Sequence, residues 1–183
     1  MSIIPAEAQA IIDQFAMTRI PHEGPWFAPT AKSTEIIEGM AAPRYKGDRY
    51  LYSAILAVFT REDFSAMHKL LTDEMWHFHG GWPMELLLLY PDGSGETRRF
   101  GNNLSAGESP QLLVSAGTWM GASPIGPNDE VYTFAGNTLS PGFEYDDYIP
   151  GTREELVSVY PDFADRIVEL TRVASMIIEL LGS

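Results

Sequence analysis

Four leucines in succession, Leu86 to Leu89, constrain this chain more than any other stretch. A strand with one wet face alternates apolar and polar residues. An unbroken apolar run of this length is instead a strand covered on both faces. Other short apolar segments surround it. Tyr50 to Thr60 is rich in aromatic and β-branched residues, and Met75 to Phe78, Gln111 to Val114, Thr118 to Met120 and Val131 to Phe134 follow. Gly80, Gly81 and Pro83 punctuate them, and Asp92-Gly93-Ser94-Gly95 reads as a hairpin turn. Short strands at this spacing predict an all-β sandwich or barrel over residues 49–148 rather than a βαβ sheet. The outer face of the leucine strand then needs a cover: a terminal helix, a second sheet layer or another subunit. The last two are favoured, and with them a homodimer.

Helical patterns flank this core. Pro5 suits a first helical turn and Glu7 complements the positive end of the helix dipole, while Ala8, Ile11, Ile12 and Phe15 recur on one face. A helix is predicted within residues 1–20, stopped by Pro21. At the other end Ile167, Leu170, Ala174, Ile177, Ile178 and Leu181 form an apolar stripe, with Asp165, Arg166, Glu169 and Arg172 off it. This predicts a packed amphipathic helix over residues 162–182. The 183 residues fit one domain, since a chain of this size buries roughly 70% of its unfolded surface.

Twenty-five acidic residues against 12 basic ones leave a net charge of −13. That field repels phosphate backbones and acidic lipid surfaces, so nucleic acid and membrane partners are not expected. Cysteine is absent, which removes disulfides, thiolate metal sites and a cysteine nucleophile. No run approaches the roughly 20 apolar residues of a membrane span. The first ten residues lack the basic start and apolar stretch of a secretory signal. A cytoplasmic location is the expectation.

Three of the four histidines fall close together, His68, His77 and His79, with Asp73 and Glu74 among them. Imidazole and carboxylate are both metal ligands and the commonest acid–base pair. The plain alternative is a satisfied core histidine at 68 and surface histidines at 77 and 79. Strand parity sorts them: Glu74, Trp76 and Phe78 share one face, and Met75, His77 and His79 the other. Glu74 therefore shares no metal with His77 or His79 unless a bulge intervenes.

The stretch Ser65, His68, Asp73, Glu74, Trp76 and Gly81 resembles the first motif of cupins, and Ser115 to Trp119 resembles the second. Ala66 and Met120 stand where the motifs offer further histidines. Of the three histidines and one glutamate of a metal cupin, only His68 and Glu74 occupy matching positions. The wider chain is similar to the cupin-5 branch. Its blocks are Pro21 to Phe27, His68 to Gly81, Gly107 with Pro110 and Gln111, then Thr138, Pro141 to Glu144, Asp147, Arg153, Leu156, Tyr160 and Pro161. Within the first block His22 and Pro21 are exchanged and Pro25 replaces a glycine. The resemblance implies an all-β double-stranded β-helix (jelly roll) with N-terminal and C-terminal helices, commonly dimeric. It also implies similarity to dTDP-sugar 3,5-epimerases, and it implies no particular reaction.

Three functions are compatible with these residues. The first is a metal-independent isomerase or epimerase of a sugar-like or carbonyl compound, with His68 and Glu74 as the acid–base pair. The related epimerases use a tyrosine as acid, and Tyr50, Tyr52 and Tyr145 are the candidates. The second is a metal-dependent cupin enzyme, a dioxygenase or lyase, with a divalent metal on His68 and Glu74. The third is a non-catalytic module binding or storing a small ligand. In each, Trp26, Phe27, Trp76, Trp119 and Phe143 are the candidate ligand-lining aromatics, although core packing is the usual role of such side chains.

Overall fold

Helix α1 (Ala6–Gln14) opens the computed structural model, which describes residues 4–21, 23–38 and 44–172. Strands follow in chain order: β1 (Thr18–Arg19), β2 (Trp26–Lys32), β3 (Ile36–Ile37), β4 (Arg49–Tyr50), β5 (Ser53–Thr60), β6 (Ser65–Leu70) and β7 (Glu74–Gly81). Then come β8 (Met84–Leu89), β9 (Gly95–Phe100), β10 (Gln111–Val114), β11 (Trp119–Pro124), β12 (Tyr132–Leu139) and β13 (Tyr148–Pro150). Helices α2 (Arg153–Val159) and α3 (Ala164–Glu169) close the described chain. One sheet runs β1-β2-β5-β12-β7-β10 and the other β13-β6-β11-β8-β9, with neighbouring strands antiparallel. Two such sheets face to face make a jelly roll.

The core lies between the sheets. Ala57, Phe59, Trp76, Leu112, Val114, Ala135 and Leu139 come from one; Leu70, Met84, Leu86, Leu88, Phe100, Met120 and Ala122 come from the other. The first helix uses the face read from its periodicity. Ala8 and Ile12 are buried against Val58 and Met17 on the outside of the first sheet.

The leucine run is buried on both sides, but its outer cover differs from the expectation. Leu86 and Leu88 point into the core. Leu87 and Leu89 point out and pack with Met67 under Leu156, Tyr160, Ile167 and Leu170. The cover is therefore the C-terminal helices of the same chain, neither a further sheet nor another subunit, and the leucines give no reason for a partner. The fit is close: a Cβ on Gly121 would lie 2.6 Å from Met67 Sδ and 3.3 Å from Leu170 Cβ. Of the predicted C-terminal stripe, Ile167 and Leu170 lie in this layer, while Ala174 to Leu181 fall outside the described residues.

Asp92-Gly93-Ser94-Gly95 forms the predicted turn between β8 and β9. Asp92 Oδ1 accepts from the Ser94 amide and hydroxyl, and Gly93 takes φ +89°. No helix among the described residues is long and apolar enough to cross a membrane.

Because Ile167 is fully buried, Ile167→Ala is expected to lose about 2–5 kcal/mol of stability in urea melts. Leu113→Ala, on an exposed position, should stay within roughly 0.5 kcal/mol of the parent. Equal, small losses would mean the helical cover contributes little.

Candidate functional site

At one end of the barrel the sheets enclose a cavity of about 80 Å³. Its apolar wall is Ile20, Phe27, Ile55, Leu70, Leu139 and Phe143; its polar groups are Glu23, Ser53, His68, Glu74, Asn137 and Tyr145. A larger open groove of about 520 Å³ lies toward the other end of β7, beside Trp82, Arg99 and Glu108. Only the smaller cavity brings an imidazole and carboxyls together.

His68 sits on β6 with its backbone opposite Met120 of β11 and Pro150 of β13, and is 3% exposed. Its Nδ1 lies 2.8 Å from the Ala66 carbonyl oxygen. A carbonyl only accepts, so Nδ1 carries the hydrogen and Nε2 is the basic nitrogen of the neutral ring. The imidazole stacks on Tyr148, with ring centroids 5.1 Å apart and planes 24° from parallel.

Glu74 begins β7, inside the barrel as parity requires, with Trp76 on the same face. The Trp76 indole N–H donates to Glu74 Oε2 at 2.8 Å, and the Asn137 side chain also hydrogen-bonds this carboxyl. Burial, followed by the negative charge of Glu23, pushes Glu74 up to about 8, against the lesser opposing effect of those two bonds. The carboxyl thus keeps its proton at neutral pH.

Glu23 enters from the loop ahead of β2, and Ser65 Oγ donates to its Oε1 at 2.5 Å. The loop is held from outside. Arg172 donates from Nε to the Glu23 carbonyl and from Nη2 to the carbonyls of Glu62 and Phe64. Gly24 takes φ +127° beside this guanidinium, and a Cβ there would lie 2.0 Å from Arg172 Nη2. Only glycine satisfies both the backbone and the neighbour.

Among the predicted aromatics, Phe27 and Phe143 line the cavity. Trp76 lies in the core and reaches the site through its bond to Glu74. Trp26 packs outside the first sheet near α1, and its indole donates to Asp63. Trp119 also faces outward, under the C-terminal helices with Lys69 over its ring. Neither of these two lines the cavity. Of the three tyrosines considered, Tyr145 alone lines it.

His77 lies on the opposite face of β7 from Glu74, where Gln111 donates to its Nδ1 and its Nε2 meets Thr138 Oγ1. His79 sits at an irregularity between β7 and β12, packed on Phe134. Both stand apart from the cavity, and His22 lies outside the described residues. Asp147 is buried and takes two 2.7 Å bonds from Arg49. That pair anchors the turn carrying Tyr145.

Against this geometry stands one family match. The Cupin_5 model, described as cupin superfamily (DUF985), matches residues 9–149. The chain belongs to the Cupin_5 family. A crystal structure of a Shewanella oneidensis protein is similar at 28% identity and TM-score 0.79, covering 93% of this chain and 99% of that one. A hypothetical protein from Leishmania major shares the fold at 24% identity and TM-score 0.80, covering 92% and 99%. No curated protein matches the chain. In this Cupin_5 protein α2, α3 and Arg172 fall beyond the family match.

Cupins often bind metals, so the donor set of this Cupin_5 site matters. Among the described residues, no three histidine, aspartate or glutamate side chains group closely enough to hold an ion. Met120 stands across from His68, and Glu74 Oε2 is occupied by the Trp76 indole. The described residues do not fit a resident metal.

A raised carboxyl has a consequence for stability. Unfolded, Glu74 releases its proton near 4.5; folded, it holds it to about 8. The folded state therefore binds one more proton between these values, and Glu74 makes stability fall as pH rises, by up to about 1.4 kcal/mol per pH unit. Glu74→Gln should flatten this decline and melt above the parent at pH near 8. Parallel melting curves for the two proteins from about pH 5 to 8 would contradict the shift.

Proposed function

We propose that the protein is an acid–base isomerase or epimerase acting on a small sugar-like or carbonyl compound, without a metal in the reaction. The observation that carries this reading is the pairing, on one cavity, of His68, whose Nδ1 is engaged by the Ala66 carbonyl so that Nε2 is left for the substrate, with a Glu74 carboxyl that retains its proton.

The chemistry follows from the two protonation states. His68 Nε2 takes a proton from the carbon beside a carbonyl. The C–H electron pair becomes a C=C bond, and the carbonyl oxygen receives the proton of Glu74. The product is a neutral enol or enediol beside imidazolium and carboxylate. Return of the imidazolium proton to the neighbouring carbon of an enediol, with the hydroxyl proton on the carbon first deprotonated passing back to the Glu74 carboxylate, gives an aldose–ketose isomer. An epimer forms when the enediol turns its other face to the same imidazolium before the protons return. An acid whose pKa lies near the working pH suits both half-reactions, since it gives up and regains its proton readily. Asn137 and Trp76 stabilise the Glu74 carboxylate once it has given up its proton. Tyr145 stands at the exposed rim beside Phe143.

The test is exchange of carbon-bound hydrogen in D₂O across a panel of hydroxy-carbonyl compounds and sugars. The parent is expected to label the carbon beside the carbonyl. His68→Gln and Glu74→Gln should each lower the rate by about 10²–10⁴-fold with the near-UV spectrum of the folded protein retained. Exchange that survives both substitutions, or its absence in every compound the protein binds, would contradict the proposal.

A further inference from the structure

Resting on that reading of the same cavity, we infer that its substrate is a hydroxy-carbonyl compound of a few carbons without an anionic group, and that the site rejects phosphate esters and carboxylates. Size is the first observation. The cavity measures about 80 Å³, against roughly 300–1,000 Å³ for an ordinary small-molecule site. It has no room for a nucleotide: a water molecule needs roughly 10–15 Å³ of such space, so the cavity holds only a handful.

Charge is the second observation. Two glutamates line the cavity, and no lysine or arginine does among the described residues. The nearby cations are engaged elsewhere. Arg49 is bound by Asp147, Arg19 pairs with Asp63, and Lys32 pairs with Glu144 over the Tyr50 ring. Arg172 directs its donors to backbone carbonyls of the Glu23 loop and its neighbours. A phosphate or carboxylate entering the cavity would meet Glu23 with no compensating cation.

The remaining polar groups suit hydroxyl and carbonyl oxygens. Glu74 keeps its proton and so offers a donor, and Glu23 already accepts from Ser65. Together with Asn137, Ser53 and His68, they present donors and acceptors suited to hydroxyl and carbonyl groups, on walls of Phe27, Ile55 and Leu139.

Compounds sharing a carbon skeleton and differing in charge test this directly. The sets are glyceraldehyde and glyceraldehyde 3-phosphate, dihydroxyacetone and its phosphate, and hydroxyacetone with pyruvate. Binding is followed by the Trp76 indole N–H signal in protein NMR, and exchange by deuterium uptake. The neutral members are expected to move the Trp76 signal. The anions should bind at least about tenfold more weakly, and Glu23→Gln should narrow that gap. An anion binding as well as its neutral counterpart, a gap unchanged in Glu23→Gln, or no neutral compound moving the signal overturns the inference. Neutral binding without exchange overturns the acid–base reading and leaves the inference standing. Exchange confined to anions does the reverse.

Discussion

A carboxyl group inside an apolar barrel is stable only if it stays protonated or finds compensating donors, and Glu74 is the residue around which the site end of this fold is arranged. It receives two donors, from Trp76 and Asn137, yet burial and the neighbouring Glu23 outweigh them. The result is a neutral acid at the cavity wall. His68 supplies the complement, because the Ala66 carbonyl fixes its hydrogen on Nδ1 and leaves Nε2 basic. Neither residue has this character alone; each acquires it from a neighbour.

The barrel holds that pair by being covered on every side that matters. Leu86 and Leu88 fill the interior, and Leu87 and Leu89 bind the C-terminal helices. Those helices lie past the residues matched by the family. They lead to Arg172, which clasps the loop presenting Glu23. The outer layer thus reaches the site through one guanidinium, and the glycine at 24 is shaped around it.

How legible this was depends on whether a feature is local. Parity along β7 separates Glu74 from His77 and His79 correctly, because side chains alternate along any strand. The same rule, carried to β11, places Trp119 outside once Met120 is inside; the motif position of Met120 was the signal that could have shown it. Strands β6 and β9 escaped the reading. The first mixes Ser65, His68 and Lys69 into its apolar residues. The second is a charged edge strand, Glu96 to Arg99, of the kind that discourages edge pairing. Ser65 reaches Glu23 across 42 residues of chain and Asn137 comes from a strand further on still, which leaves no spacing in the chain to detect. The cover of the leucine strand required the actual packing of α2 and α3, since periodicity shows that a face is buried and not by what.

The protonation state of Glu74 is the claim on which the chemistry rests. It is measured most directly by the carbon-13 resonance of its side-chain carboxyl, assigned by loss of the signal in Glu74→Gln and followed through a pH titration. The account predicts a neutral carboxylic acid at pH 7 that titrates at about 8. A resonance already that of a carboxylate at pH 6 would contradict it.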